Sequence, residues 1–140
     1  MNHILSTLSR LLMVVFLLAA WLAMPSGTAK ASAGAIFTAN STSDADAVDG
    51  VCSLREAIKA ATLDLMSYND CTNSGTGFGV DLIVFSISSS TTITLGADLR
   101  EIDFNSTLTI DGSNSGSPVV IDGANAHRPF LVSHGSSLTL

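Results

Sequence analysis

The chain has 140 residues, with 12 acidic against 6 basic side chains and a formal net charge of −6. An acidic surface argues against nucleic acid and anionic membrane as partners, because both repel it. The length suits one small domain once a targeting segment is removed.

That segment comes first. Residues 1–10 are polar-leaning and carry the positive charge of Arg10, and residues 11–24 read LLMVVFLLAAWLAM, an unbroken apolar run. Pro25, Ser26 and Gly27 break the run, and Ala29-Lys30-Ala31 and Ala31-Ser32-Ala33 then offer small-x-small cleavage patterns. This is the layout of a secretory signal peptide over residues 1–33, with cleavage after Ala33 preferred to Ala31. The apolar run falls short of the roughly 20 residues that a membrane-spanning helix needs, so the processed chain is expected not to span a membrane. Processing leaves Arg55, Lys59, Arg100 and Arg128 as the cations and keeps every Asp and Glu.

Ala35-Ile36-Phe37-Thr38-Ala39 reads as a short strand, and residues 40–50 as a polar loop rich in Ser, Asp and Ala. Ser53-Leu54-Arg55-Glu56 then marks a helix start. Ser three residues before Glu is a capping box, in which the hydroxyl accepts from an N-terminal amide and the carboxylate reaches back. Leu54, Ala57, Ile58, Ala61 and Leu65 follow at helical spacing as one apolar stripe, predicting a helix over about 54–66. Residues 69–79 read as a loop that holds Cys71. In an exported chain, Cys52 and Cys71 are expected to form a disulfide rather than a metal site, because His127 and His134 lie far from both. Closing a loop of about 20 residues contributes about 3 kcal/mol.

From Val80 onward short β runs replace helix signals. They are residues 81–87, 91–95, 106–110, 118–121, 130–132 and 137–140, separated by turn residues. Ile93-x-Leu95, Leu108-x-Ile110 and Leu138-x-Leu140 alternate as strands with one buried face do. Ile110-Asp111-Gly112-Ser113-Asn114 is echoed eleven residues later by Ile121-Asp122-Gly123-Ala124-Asn125. Such strands fit a β-sandwich or a β-solenoid; few aromatics and many Ser, Thr, Asn and Gly favour the solenoid. A solenoid ending at Leu140 would expose a bare rung, so residues 80–140 are expected to be the first rungs of a longer architecture or of a truncated gene product.

Asp49-Gly50-Val51-Cys52-Ser53-Leu54-Arg55-Glu56-Ala57-Ile58 resembles the CSLREA domain, an N-terminal cap of exported bacterial parallel β-helix proteins. The downstream Asp81-Leu82-Ile83-Val84-Phe85 and Leu108-Thr109-Ile110-Asp111-Gly112 also match its usual sequel. The resemblance covers about residues 35–140. It implies a mainly β fold, a right-handed parallel β-helix of pectin-lyase-like type, with a cap over residues 34–79. It also implies a secreted or surface-displayed protein. It carries over no catalytic residue and no cofactor. The motif residues Ser53, Leu54, Arg55, Glu56, Ala57 and Ile58 are expected to act structurally. Ser53 and Glu56 cap the helix; Leu54, Ala57 and Ile58 pack it on the first rung; and Arg55 pairs with a carboxylate, for which Asp49 is the candidate.

The acidic stretch from Asp44 to Gly50 fails an EF-hand register, since its fifth and twelfth positions are Val48 and Arg55. It reads as a solvated turn. Asp111, Asp122 and Arg128 are the residues to name for a carbohydrate-active groove, but Asp before Gly after a strand is an ordinary turn pair. Gly135-Ser136-Ser137 lacks the outer glycine of a nucleophile elbow, and neither a phosphate loop nor zinc spacing is present. The sequence therefore points to a non-enzymatic module of the adhesin or surface-protein class, with a surface glycan or protein as the open class of partner. A carbohydrate-active β-helix enzyme and a gene fragment without function are the rival readings.

Overall fold

The computed structural model describes residues 33–77, 79–88, 91–103 and 106–140. The segment read as a signal peptide lies outside the described residues except for Ala33, which opens the first strand. In chain order the elements are β1 (Ala33–Ala39), α1 (Leu54–Thr62), β2 (Ser67–Tyr68), β3 (Cys71–Thr72), β4 (Val80–Phe85), β5 (Thr92–Thr94) and β6 (Thr107–Asp111). A short 3-10 turn (Ser113–Ser115), β7 (Val120–Asp122) and β8 (Ser137–Thr139) follow. The described chain is mainly β, with one α-helix.

The main sheet has the order β1-β4-β6-β8, with every neighbour parallel. A second parallel ladder joins β5 to β7, and an isolated parallel bridge joins Ile102 to Val132. Each ladder finds its next partner at a similar interval. Val80 pairs with Thr107, Thr92 with Val120, Ile102 with Val132 and Thr107 with Ser137, separations of 27, 28, 30 and 30 residues. The step from β1 to β4 is longer, because Ile36 pairs with Leu82 and the helix and hairpin lie between them.

The register aligns inward side chains in columns. Phe37, Ile83 and Ile110 form one inward column, and Asp81, Leu108 and Leu138 form another. Ile93 meets Ile121 and Ile102 meets Val132. Ile93 and Ile102 are fully buried, while Val132 is 40 % exposed and Ile121 and Leu138 are only partly covered. Withdrawing an aliphatic side chain completely from water is worth about 2 kcal/mol, of which Ile121, Val132 and Leu138 realise a smaller share than Ile93 and Ile102.

Several sequence expectations need correction. The helix stops at Thr62, not near residue 66. Asp64 adopts a left-handed φ of 51°, its N–H donates to Ala61 O, and Leu65 N–H donates to Ala60 O. That is a Schellman stop, with Asp in the place where Gly is usual. The apolar stripe read through Leu65 thus ends at Ala61. Residues 69–79 are not all loop, since β3 pairs antiparallel with β2 across a tight turn at Asn69 and Asp70. Residues 130–132 form no strand and contribute only the bridge at Val132. Leu140, read as inward, is 75 % exposed.

The eleven-residue echo is real chemically but not a repeat of rungs. Asp111 Oδ1 accepts from Ser113 N and Asp122 Oδ1 accepts from Ala124 N, each at 2.8 Å. Both are Asx turns that close a strand. They end β6 and β7, which belong to different sheets. At the second turn Gly123 is required, because a Cβ there would lie 2.2 Å from His127 O.

Candidate functional site

The residues singled out in the sequence converge at the start of α1. Ser53 has extended backbone and its hydroxyl accepts from Glu56 N at 3.2 Å. Glu56 Oε2 accepts from Ser53 N at 3.0 Å, so the capping box is complete. The Ser53 hydroxyl also donates to Ala45 O at 2.6 Å. Glu56 is 1 % exposed, and its second oxygen is no less occupied. Oε1 accepts from Ala47 N at 3.0 Å and from Asn69 Nδ2 at 2.7 Å. One buried carboxylate therefore ties the helix to the preceding loop and to the hairpin turn after it.

Arg55 does the same on the other side of the helix start. Its partner is Asp44, not Asp49. Nη2 lies 2.6 Å from Asp44 Oδ2 and Nε lies 3.0 Å from Asp44 Oδ1, a bidentate fork. Nη1 donates to Asp98 O and Nη2 to Ala97 O, both at 2.8 Å. Asp44 Oδ2 also accepts from Gly96 N at 2.8 Å. Asp49 is engaged elsewhere: its Oδ1 accepts from Val51 N, and its own N–H donates to Asp70 Oδ2 at 2.7 Å. The guanidinium thus fastens the cap to the turn that follows β5.

Leu54, Ala57 and Ile58 are fully buried and supply the apolar underside of the helix. Cys52 and Cys71 form a disulfide with Cα atoms 4.7 Å apart, as expected. It anchors β3 beside the helix start. Two residues beyond β3's first residue, Asn73 Oδ1 accepts from Ile36 N at 2.9 Å, and Ser74 N donates to Ile36 O at 2.9 Å. Asn40 N donates to Cys52 O, and Asn40 Oδ1 accepts from Cys52 N. The edge of β1 that faces away from β4 is therefore covered by side chains and by a strap of backbone.

A surface ion pair joins Lys59 to Asp46, with the ammonium 5.4 Å from the Tyr68 ring centre. The hydrogen bond from Lys59 holds the Asp46 carboxyl below the ordinary aspartate range, and the same bond raises Lys59. Burial pushes the Asp81 carboxyl upward despite its bond from Ala35 N. Asp81 fills an irregularity in the β1–β4 register between Ala33 and Ile36, supplying an acceptor at 2.9 Å where the ladder lacks one.

The residues named for a carbohydrate groove do not assemble into one. Asp111 and Asp122 spend a carboxylate oxygen each on an Asx turn, in separate sheets. Hydrogen bonds from Ser113 keep the Asp111 carboxyl low. Arg128 Nη2 sits 3.4 Å from Asp98 Oδ2, with His127 Nδ1 at 3.7 Å from the other oxygen. This patch is surface-exposed. Among the described residues one shallow recess is framed by Phe85, Ile110, Val119 and Leu140 and another by Ile36, Gly75, Val80 and Leu82; no titratable side chain lines either. Among the described residues no group of three or more His, Cys, Asp and Glu is placed to hold a metal ion, and no helix is long and apolar enough to cross a membrane.

Sequence reasoning missed Asp44, Asn69, Asn73 and Asp81. Each is a short polar residue in or beside a loop, and its type alone gave the signal: Asn and Asp reach backbone amides that no ladder supplies. Comparison of the chain with family models, with curated proteins and with solved structures gave no match.

Proposed function

We propose that this chain is an exported, non-enzymatic β-helix module headed by a CSLREA-like cap, serving as a scaffold in the adhesin or surface-protein class. The observation that carries the reading is the recurrence of two parallel ladders and one parallel bridge, in the same order, at intervals of 27 to 30 residues. Return to the same lines of pairing at a near-constant interval supports a coiled path. Parallel strands joined by crossovers favour a right-handed path. The motif residues support a structural role, because every polar side chain among them is bonded to backbone or to a carboxylate of this same chain. None is left aimed at a ligand.

The test is expression of the full chain with a C-terminal tag in a bacterial host, followed by fractionation and intact mass. The expected product is found outside the cytoplasm, begins at Gly34 and carries the disulfide. Retention at full mass in the cytoplasm would overturn the export reading. Depolymerisation of uronate or neutral glycans by the purified product would overturn the non-enzymatic one.

A further inference from the structure

We propose that cutting the chain after Ala33 frees the α-amine of Gly34 as the counter-ion of the buried Asp81 carboxylate, so that processing itself fastens β1 to β4. The cut rests on the export reading above; the ion pair rests on the geometry where β1 meets β4.

Asp81 is 3 % exposed and shares an inward column with Leu108 and Leu138. Its carboxylate accepts from Ala35 N at 2.9 Å and from Gly79 N, and Asp64 is the charge that acts on it. No cation is among these groups. A buried carboxylate without one is costly, and buried charges are ordinarily paired. Filling the gap in the β1–β4 ladder does not account for the charge, because an Asn side chain supplies the same acceptor without it. The carboxylate is one half of an ion pair whose other half is missing.

The new terminus supplies that half. Ala33 pairs with Val80 and Ile36 with Leu82, and the irregularity between them lays Gly34 and Ala35 against Val80 and Asp81. The approach is close: a Cβ on Gly34 would stand 1.6 Å from Val80 O and 3.0 Å from Asp81 N, so only glycine fits there. Gly34 N is the backbone nitrogen next to Ala35 N, which already donates to Asp81 Oδ1. Adjacent backbone nitrogens stand less than about 4 Å apart, which puts Gly34 N within about 7 Å of that oxygen. Once freed it is an ammonium, and the open torsions of glycine let it turn toward the carboxylate. A chain cut after Ala31 carries its ammonium two residues further away. While residue 33 stays attached, burial holds Asp81 high; the ammonium draws it down, so the cut reverses the sign of its response to pH.

The experiment measures urea unfolding of four oxidised chains at about pH 7 and about pH 10, on either side of the ordinary α-amine value. The chains begin at Gly34 or at Ser32, the products of cleavage after Ala33 and after Ala31, each with and without Asp81→Asn. The pairing of Ala33 with Val80 belongs to both longer chains and cancels, as do Lys59 and Tyr68, which all four share. At pH 7 the gain in the folded-to-unfolded ratio on starting at Gly34 is expected to be about tenfold larger with Asp81 than with Asp81→Asn. A raised α-amine contributes fully below its ordinary value of about 8 and loses that contribution as the pH rises through the raised one. The factor should therefore fall toward one at about pH 10. In the Gly34 chain with Asp81, the pH dependence of α-amine acylation should give a value above about 8. A factor of one at pH 7, a factor that does not fall at pH 10, or an α-amine at or below about 8 would overturn the proposal. The first residue of each chain is set by design, so a flat result strikes the ion pair and leaves export standing, whereas retention of the whole chain in the cytoplasm strikes the export reading.

Discussion

Arg55 and Asp44 meet as a bidentate pair eleven residues apart, and the same guanidinium reaches the carbonyls of Ala97 and Asp98 more than forty residues further on. Both side chains of the pair are close to nine-tenths buried. The guanidinium offers its donors in a rigid fork and fills them with carboxylate and backbone oxygens, which an ammonium could not match in geometry.

Arg55→Ala should therefore cost about 3 kcal/mol, since it strands the Asp44 carboxylate. Arg55→Lys should recover only part of it. Asp46→Ala, at the more exposed pair with Lys59, should cost no more than about 1 kcal/mol. Urea unfolding of the three variants checks the order, and equal losses would contradict the assignment of Arg55 as the fastening residue.

Glu56→Ala should exceed the loss of an ordinary cap. A capping box alone is worth about 0.5–2 kcal/mol. Here the carboxylate also accepts from Ala47 N and Asn69 Nδ2, and losing these two part-buried bonds adds about 0.5–1.5 kcal/mol each. Ser53→Ala leaves the Glu56 side chain in place and should cost less than Glu56→Ala in the same unfolding measurement.

Asp81 and Asp46 should respond to pH with opposite sign. The Asp81 carboxyl lies above its ordinary value of 3.8, so the folded chain keeps a proton that the unfolded chain releases. Its contribution is full below that ordinary value and falls away as the pH rises through the raised one. Asp46 is held low, so its contribution is present above 3.8 and is lost as the pH falls through the lowered value. Asp81→Asn keeps an acceptor for Ala35 N but does not titrate. Its stability relative to wild type should improve from about pH 3 to about pH 7, whereas that of Asp46→Asn should worsen over the same range. Thermal melts across this range decide it.

Removing the disulfide by replacing both cysteines with serine should cost about 3 kcal/mol. In the intact chain Cys52 and Cys71 are 3 % and 1 % exposed, so mild reductant should leave both thiols unlabelled until denaturant is added. Ready labelling in native buffer would mean that the hairpin opens locally.

Much of this architecture was legible because its signals are local. Ser53 and Glu56 announce the helix start through their spacing, and Leu108 with Ile110 announces a strand through alternation. The helix end was not legible. Leu65 and Met66 continue an apolar pattern, while the actual stop depends on Asp64 entering a conformation that Gly usually supplies. β2 and β3 are two residues each, too short for any period to show. The partner of Arg55 was misplaced because nearness in sequence says nothing about loop path, and the loop turns Asp44 inward while Asp49 bonds at the surface. Ile102 stands among Arg100, Glu101 and Asp103 and looks like a polar turn, yet it is fully buried and bridges to Val132.

The bonds from Arg55 to Ala97 and Asp98 have a consequence for the order in which the molecule assembles. A chain made from its N-terminus presents α1 well before residues 97 and 98 exist, with 43 positions separating Arg55 from Asp98. Until then the guanidinium can hold Asp44 but not those two carbonyls. Helix, hairpin and disulfide are available early, and the final lock waits for the turn after β5. The fastening of α1 is thus completed only by a segment made more than forty residues later, so that a nascent chain holds its helix start in a partly bonded state until the turn after β5 arrives.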